Sequence, residues 1–576
     1  DRTTELLPIN RNPEDTASGQ HATEMKAAEI FFAEPLQVAD DRCVQALLDA
    51  GDLQVGSNNW VTSPRLSSSG HAMVVGDPHL DPRMLPGIMY AVGYVLPDAR
   101  AVGANVPGIP GFTIGRTEHI ATAVTNNYGD AQDLYIETID PQNSQNYLEA
   151  GKSIPFLVER QTLKIKDKSA ADGFRQEDFE VRLTSRGPVV SDVLGIKTDK
   201  LLSLRWAAAQ NMQPQMGLTN LLTAKTVAEV DDALRTVTSI VLNFVFADTS
   251  GNIAWRATGV LPNRSFGGTA PVPIPSNNSW QDNWRGWIPF EEMPHQLNPQ
   301  RGWLGTANHY TIESNYPHYY SDFASPSYRY RRLQQRMDEH LDVDHQATVD
   351  DHWSIQRDTK NLMAQSVTPQ LVAALSADDR TARLADVLRA WDYHDDIDQS
   401  APTVFQTVYS ELAKATFSDE LGEELAIKML GNWYYWQERF ESLVLDGTSH
   451  WFDDITTTEV TESMDQMIVR AGLSALERLM PMLGSDPAKW RWGDVHTLSF
   501  VNPLRRSGLG SGILGTGPLA AAGSGETLYR GWYAYDDPYH VISTAALRMV
   551  VDLGDNEKVT AVVAGGTVAR TFHPHQ

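Results

Sequence analysis

The stretch Gly56-Ser57-Asn58-Asn59-Trp60-Val61 decides how this chain is read. A small residue and a serine stand directly before a run that becomes apolar and β-branched at Trp60–Thr62. A second such run, Ala72–Val75, leads into Gly76-Asp77-Pro78-His79-Leu80. Short runs of this kind, bounded by Gly, Pro, Asn and Asp, predict strands. The same texture returns at Ile120–Thr125 and Ser239–Asp248. Upstream, Asp1–Gln20 is polar and irregular, whereas Ala22–Ala33 and Asp40–Ala50 carry helical spacing. Downstream, between Thr348 and Lys489, Leu371, Leu375, Leu384, Leu388 and Trp391 recur at helical spacing. Thr368-Pro369 there reads as an N-cap followed by a first-turn proline. After Trp490 the chain turns Gly-rich and returns to strand in Ala545–Leu553. The expected organisation is α+β. Residues 1–56 precede the Ser57 junction, 57–347 form a strand-rich block, 348–489 are mainly helical, and 490–576 form a second strand-rich block.

Composition narrows the function classes. The 576 residues carry 47 Lys+Arg against 73 Asp+Glu, a formal charge of −26, and no basic run. A polyanion is bound by clustered cations, so a nucleic-acid partner is not expected. No stretch approaches the roughly 20 apolar residues of a spanning helix. The single cysteine, Cys43, excludes an internal disulfide framework and a cysteine-built zinc site. Hydrophobic residues make up 41 % and charged residues 21 %, a globular balance with ample core.

Most local motifs have bland readings. Gly510, Gly512 and Gly515 match a dinucleotide fingerprint, yet they follow Arg505-Arg506-Ser507 instead of a strand, and Gly517-Pro518 cannot open a helix directly. A Gly-rich loop is the expectation there. His573 and His575 lack further ligands for a metal, and His340 and His345, flanking Asp342 and Asp344, read as a solvated helix end.

The Ser57 stretch differs because other pieces accompany it in order. Asn126-Asn127-Tyr128-Gly129-Asp130-Ala131-Gln132-Asp133, Leu242-Asn243-Phe244-Val245-Phe246-Ala247-Asp248 and Pro262-Asn263-Arg264 follow. Thr306-Ala307-Asn308, Ile355-Gln356-Arg357-Asp358, Trp492-Gly493-Asp494-Val495-His496 and Arg548-Met549-Val550-Val551-Asp552 complete the series. Together, from Ser57 to Gln576, they resemble the catalytic subunit of the penicillin acylase family, which includes acyl-homoserine-lactone and cephalosporin acylases. The resemblance implies an N-terminal-nucleophile αββα sandwich with a large helical insertion. It also implies a precursor that cuts itself between Gly56 and Ser57, work outside the cytoplasm (in the periplasm or secreted), and a cleaved first subunit as partner. That first subunit is longer in the family, so the sequence reads as part of a longer precursor.

Residue roles follow from the same resemblance. Ser57 is the expected nucleophile, with its freed α-amine as base. The Asn126 amide and the Asn243 side chain would form the oxyanion hole, His79 would tune the amine by a hydrogen bond, and Arg264 would hold Asn243 in place. Asp130, Gln132 and Asp133 would ligate one calcium, with Glu24, Glu29 or Glu34 as candidates for a further acidic ligand. Phe112, Ile114 and Trp60 would line the acyl pocket. Family members selective for phenylacetyl groups typically carry glutamine where His79 stands, and Ile114 replaces an aromatic pocket residue. The implied substrates are therefore N-acyl homoserine lactones or other aliphatic amides, with β-lactams as the alternative. A non-catalytic extracellular binding protein on the same scaffold is the rival class.

Overall fold

In the computed structural model, the described residues are 56–568, apart from 192–195, 198–200, 214–215, 265–272, 277–283, 322–323, 341–344, 432–436, 507–513 and 536–537, together with the short strand Gln37–Val38. The helices expected before Ala50, Cys43, Glu24, Glu29, Glu34, Gly510, Gly512, His573 and His575 lie outside the described residues, as does the His340 side chain. His345 is exposed.

Two seven-stranded sheets carry the fold. In the first, the strand Gly56–Thr62 pairs antiparallel with Trp303–Thr306 on one side and Met73–Leu80 on the other. Met73–Leu80 then pairs with Leu547–Asp552 through residues 73–76 and with Val541–Ala545 through 79–80. In the second sheet, Leu242–Asp248 lies between Ile120–Asn126 and Ile253–Ala257, and the order continues outward to Ile114–Thr117, Arg100–Asn105 and Tyr90–Val95.

The sheets stack face to face. Val61 and Val74 of the first share one buried cluster with Ile114, Ala121, Ala123 and Val245 of the second. Gly76 permits the close approach, because a Cβ there would stand 2.7 Å from Ile114 Cγ2. Outside the first sheet, helices Tyr328–His340 and Val349–Ile355 bury Leu333, Met337 and Ile355 against Trp60 and Val75. Outside the second, helix Val227–Leu234 supplies Val230 and Leu234. This is the αββα sandwich.

The helical excursion has its own core, built by Leu362–Ser376, Ala382–Arg389, Ala401–Leu421, Gln437–Asp446 and Met464–Leu483. One expectation is corrected here. Thr368 does not cap a helix. The N-cap is Asn361, whose side chain accepts from the Ala364 amide at 2.9 Å, and Pro369 lies inside the helix. Leu362, Met363 and Val367 are buried ahead of the proline, and burying that face outweighs the backbone hydrogen bond a mid-helix proline removes. At the other glycine-rich stretch, Gly515 opens the strand Gly515–Ala520, paired with Thr497–Val501, so the helix a dinucleotide site requires is not formed.

Candidate active site

Strand alternation sorts the residues after Gly56 onto two faces. Asn59 and Val61 look into the space between the sheets, where Asn59 Nδ2 donates to the carbonyls of Ala123 and Asn243. Ser57 shares that parity. Asn58 and Trp60 face the helices. Trp60 is fully buried and gives its indole N–H to His352 Nδ1 at 3.0 Å. Its expected place in the acyl pocket is therefore corrected, since a residue three positions from Ser57 in a strand must point to the opposite face.

Ser57 is held at every polar atom. Its N–H donates to Asn308 Oδ1 at 2.6 Å, its carbonyl accepts from Arg329 Nη1 at 2.8 Å, and its hydroxyl donates to the Gly56 carbonyl. Gly56 itself lies against the Arg530 guanidinium, and a Cβ at that position would stand 2.2 Å from Nη1. Asn308 is the junction. Its Nδ2 donates to the Asn126 carbonyl at 2.9 Å, and the same carbonyl accepts from Asn243 Nδ2 at 3.3 Å. Asn243 also donates to Thr125 Oγ1 at 3.2 Å, and its Oδ1 accepts from Trp255 Nε1 at 3.1 Å. The structure thus brings together Ser57, Asn126 and Asn243, and links them through a residue to which the sequence reading gave no role.

His79 stands across the strand pair from Gly56. Its described bond runs to Asp77, Nε2 to Oδ2 at 3.0 Å, and Asp77 also meets Arg548 Nε at 3.3 Å. Burial is the main influence on the imidazole and lowers its pKa to about 4, against the opposing pull of Asp77. His79 is accordingly neutral at pH 7, with Nε2 protonated toward Asp77 and Nδ1 buried as a bare acceptor. The Ser57 nitrogen, expected to bond His79, instead donates to Asn308 Oδ1.

Arg264 is also placed differently from expectation. It does not touch Asn243. Its Nε meets Asp133 Oδ2 at 3.0 Å, Nη2 meets Asp130 Oδ2 at 3.1 Å, and Nη1 donates to the Asp130 carbonyl at 3.1 Å. Trp284 Nε1 donates to Asp133 as well, at 2.5 Å. The carboxylate oxygens expected to ligate calcium are therefore occupied by a guanidinium and an indole, while Gln132 is exposed on the strand Gln132–Glu137. Among the described residues no group of three or more His, Cys, Asp or Glu is gathered for a metal. This donor set does not fit calcium, since a cation here would have to displace Arg264.

Phe112 and Ile114 are fully buried in the cluster between the sheets, Ile114 over Gly76. Gly76 is the register partner of Asn59, two residues from Ser57, so an aliphatic wall lies close to the nucleophile. Arg329 and Arg530 had no local signal that could reveal them. Arg329 is 272 positions from Ser57 and sits on a helix whose sequence, Tyr328-Arg329-Tyr330-Arg331-Arg332, reads as solvated.

Two stacked antiparallel sheets between helices, with a serine beginning a central strand, place the chain in the N-terminal-nucleophile fold class. Residues 4–576 match the family model described as Penicillin amidase, and the chain belongs to that family. It is 29 % identical over 564 residues to acyl-homoserine lactone acylase QuiP of Pseudomonas aeruginosa, covering 90 % of this chain and 64 % of that protein. It is 30 % identical over 371 residues to penicillin acylase 2 proenzyme of Pseudomonas sp. strain SE83, across 62 % of this chain and 45 % of that one. The chain thus spans less than two thirds of the length of these relatives. Among solved structures, a thermostable penicillin G acylase from Alcaligenes faecalis superposes with a TM-score of 0.64 at 18 % identity, covering 90 % of this chain and 93 % of that one. Among the described residues no helix is long and apolar enough to cross a membrane.

Proposed function

We propose that the chain is the catalytic part of an acylase that hydrolyses a linear amide through an acyl-enzyme on Ser57, after cutting itself between Gly56 and Ser57. The observation that carries this reading is the chain of hydrogen bonds from the Ser57 nitrogen through Asn308 to the Asn126 carbonyl and Asn243. In the uncut chain the Ser57 hydroxyl already bonds the carbonyl it would attack. Attack by Oγ on the Gly56 carbonyl carbon breaks the Gly56–Ser57 C–N bond and forms an ester. Water hydrolyses the ester, leaving a Gly56 carboxylate, a free Ser57 hydroxyl and a free Ser57 amine. An unperturbed α-amine has a pKa of about 7.7–8.0, close to working pH, where a general base is most effective.

In turnover the amine takes the Oγ proton, Oγ attacks the substrate carbonyl, and the oxyanion is met by the Asn126 amide and Asn243 Nδ2. Collapse expels the amine product with the proton, and water releases the acid by the same steps. To serve, Asn243 exchanges one of its long bonds, to Thr125 or Asn126, for the oxyanion. No step runs through a metal, because Arg264 already neutralises the candidate carboxylates.

The aliphatic wall at Ile114 and the histidine at position 79 favour N-acyl homoserine lactones or similar aliphatic amides over phenylacetyl β-lactams. Each further buried methylene contributes roughly 0.8 kcal/mol. We place the mature protein in the periplasm or medium, paired with its own cleaved first subunit. Mass analysis of the purified wild type and Ser57→Ala is expected to show two fragments meeting at Ser57 in the former and one inert chain in the latter. A wild type that stays intact and inactive would leave the binding-protein reading standing. A panel of acyl lactones of increasing length beside penicillin G is expected to show rates rising along the series. Preference for penicillin G with no such rise would reverse the substrate assignment.

A further inference from the structure

We propose that Asn308 and Arg329 are the positioning pair for the Ser57 amine: Asn308 takes one of its N–H groups, leaving the lone pair for the Oγ proton, and the Arg329 guanidinium disfavours the ammonium form. This rests on the reading above that the chain is cut before Ser57.

The orientation of Asn308 is set by its partners. Oδ1 accepts from Ser57 N at 2.6 Å and from Arg329 Nη2 at 2.9 Å, while Nδ2 donates to the Asn126 carbonyl. The flipped amide would set its NH₂ against two donors and its oxygen against a carbonyl, so only one assignment satisfies the network. The backbone supports the placement. Asn308 has φ 64°, a left-handed conformation that asparagine tolerates better than most side chains, and its carbonyl is tied by the Ser325 amide at 2.9 Å.

A neutral amine carries two N–H groups and one lone pair. An acceptor fixed at 2.6 Å claims one N–H and so restricts where the lone pair points. An ammonium would also be accepted by Asn308, so that contact alone does not select the base form. Arg329 does. It is 1 % exposed and permanently charged, bonds Ser57 O, Asn58 Oδ1, Asn308 Oδ1 and Ser325 Oγ, and its charge disfavours the protonated forms of the neighbouring His79 and His309. A second positive charge on residue 57 would sit one side-chain amide away from it, and a nearby like charge disfavours ionisation.

Among the described residues the other charged groups around residue 57 do not reverse the sign, and the Gly56 carboxylate that the cut leaves faces the Arg530 guanidinium. Arg530, on the loop that also carries Glu526, lies against Gly56, while Glu526 turns to Gln437 and Ser524. From the neighbouring strand, Asp77 is shared between His79 and Arg548. His309, beyond the strand Trp303–Thr306, stacks on Tyr330 at 3.6 Å and is held neutral, burial first and Arg329 next lowering it to about 3. On the helix of Arg329, Arg332 is paired with Asp358. Strands Ile120–Asn126 and Leu242–Asp248 bring no charge except Asp248, at the far end of its strand.

The test is the pH dependence of kcat/KM for the cleaved enzyme, with whichever of N-decanoyl homoserine lactone and penicillin G the wild type hydrolyses faster. N-terminal sequencing comes first: a wild-type second chain that does not begin at Ser57 defeats the processing reading, not this one. Given that start, Arg329→Gln and Asn308→Asp are expected to move the acidic limb to higher pH by about one unit, and Arg329→Lys to leave it within a few tenths of a unit of wild type. Limbs unmoved in Arg329→Gln and Asn308→Asp, or a Lys variant displaced as far as Gln, would overturn the inference. So would variants that melt like the wild type yet stay uncut, since the pair would then act on processing alone.

Discussion

Two buried strands of equal length face each other across the sandwich and are stabilised by different means. Gly56–Thr62 and Leu242–Asp248 are each seven residues, with every residue of the first and all but Leu242 of the second buried. The second is apolar through Phe244-Val245-Phe246-Ala247, a run whose side chains are ordered by burial. The first contains Ser57, Asn58, Asn59 and Thr62, groups that cost free energy inside a protein unless each finds a partner. Each does. Asn59 accepts from the Thr306 amide and hydroxyl and donates to two carbonyls, while Asn58 joins Asp77, Leu528 and Arg329. A polar strand in a dry interior requires a specific surround, and that surround is where the nucleophile is held.

The contrast can be broken by mutation, and the largest effect belongs to the apolar strand. Phe244→Ala should lower stability by about 3–5 kcal/mol in denaturant unfolding, with no specific effect on turnover per folded molecule. Arg264→Ala should cost a similar amount, about 3–5 kcal/mol, by removing the guanidinium paired with the buried Asp133 and with Asp130, whereas a chelator should leave the wild-type melting temperature unchanged. A fall in melting temperature on chelation would restore the metal. Asn243→Ala, the one polar member of the apolar strand placed at the site, should reduce kcat about 10²–10³-fold. More than a tenth of wild-type activity would remove it from the oxyanion hole.

Asn59→Leu sharpens the comparison further. It adds apolar surface of similar shape, yet should destabilise by about 1–3 kcal/mol for each buried group left unpaired. A neutral outcome would mean that the polar strand is no more demanding than its neighbour.

A further effect is graded with pH. Three imidazoles near the polar strand, His79, His309 and His352, are held neutral by burial, with pKa values lowered to about 4, 3 and 4, and His496 near the helical region is lowered to about 4. The unfolded chain protonates each near the ordinary imidazole value of 6.5, the folded chain only lower, so the unfolded state binds more protons between these values. Stability should therefore fall as pH drops from about 6.5 to 4, by up to roughly 1.4 kcal/mol per pH unit for each histidine. Asp395 acts in the opposite sense. Burial pushes it up to about 8, so its contribution is present at low pH and lost as pH rises toward 8. Melting temperatures across pH should peak near neutrality, and Asp395→Asn should remove the alkaline decline.

What could be read along the chain was what depends on near neighbours. The strands at Ser57, Ile120 and Leu242, the helical middle and the failure of the Gly515 motif to open a helix all follow from local periodicity and turn residues. The first-turn proline at Pro369 was misplaced because burial of Leu362, Met363 and Val367 extends the helix backward. The resemblance puts Trp60 in the acyl pocket, whereas strand parity turns it toward the helices and His352.

The sequence alone determined the α+β organisation, because apolar spacing and turn residues are written into consecutive positions, while the sandwich class and the Gly56-Ser57 junction were legible through the resemblance its ordered motifs carry. Tertiary structure decided which charges meet. Arg264 went to Asp130 and Asp133 instead of Asn243, and the Ser57 nitrogen was claimed by Asn308, 251 positions away, instead of His79. A guanidinium or an amide can bond any acceptor within reach. Which acceptor is within reach is set by sheet register and by how one layer stacks on the next, and neither is encoded in a local pattern.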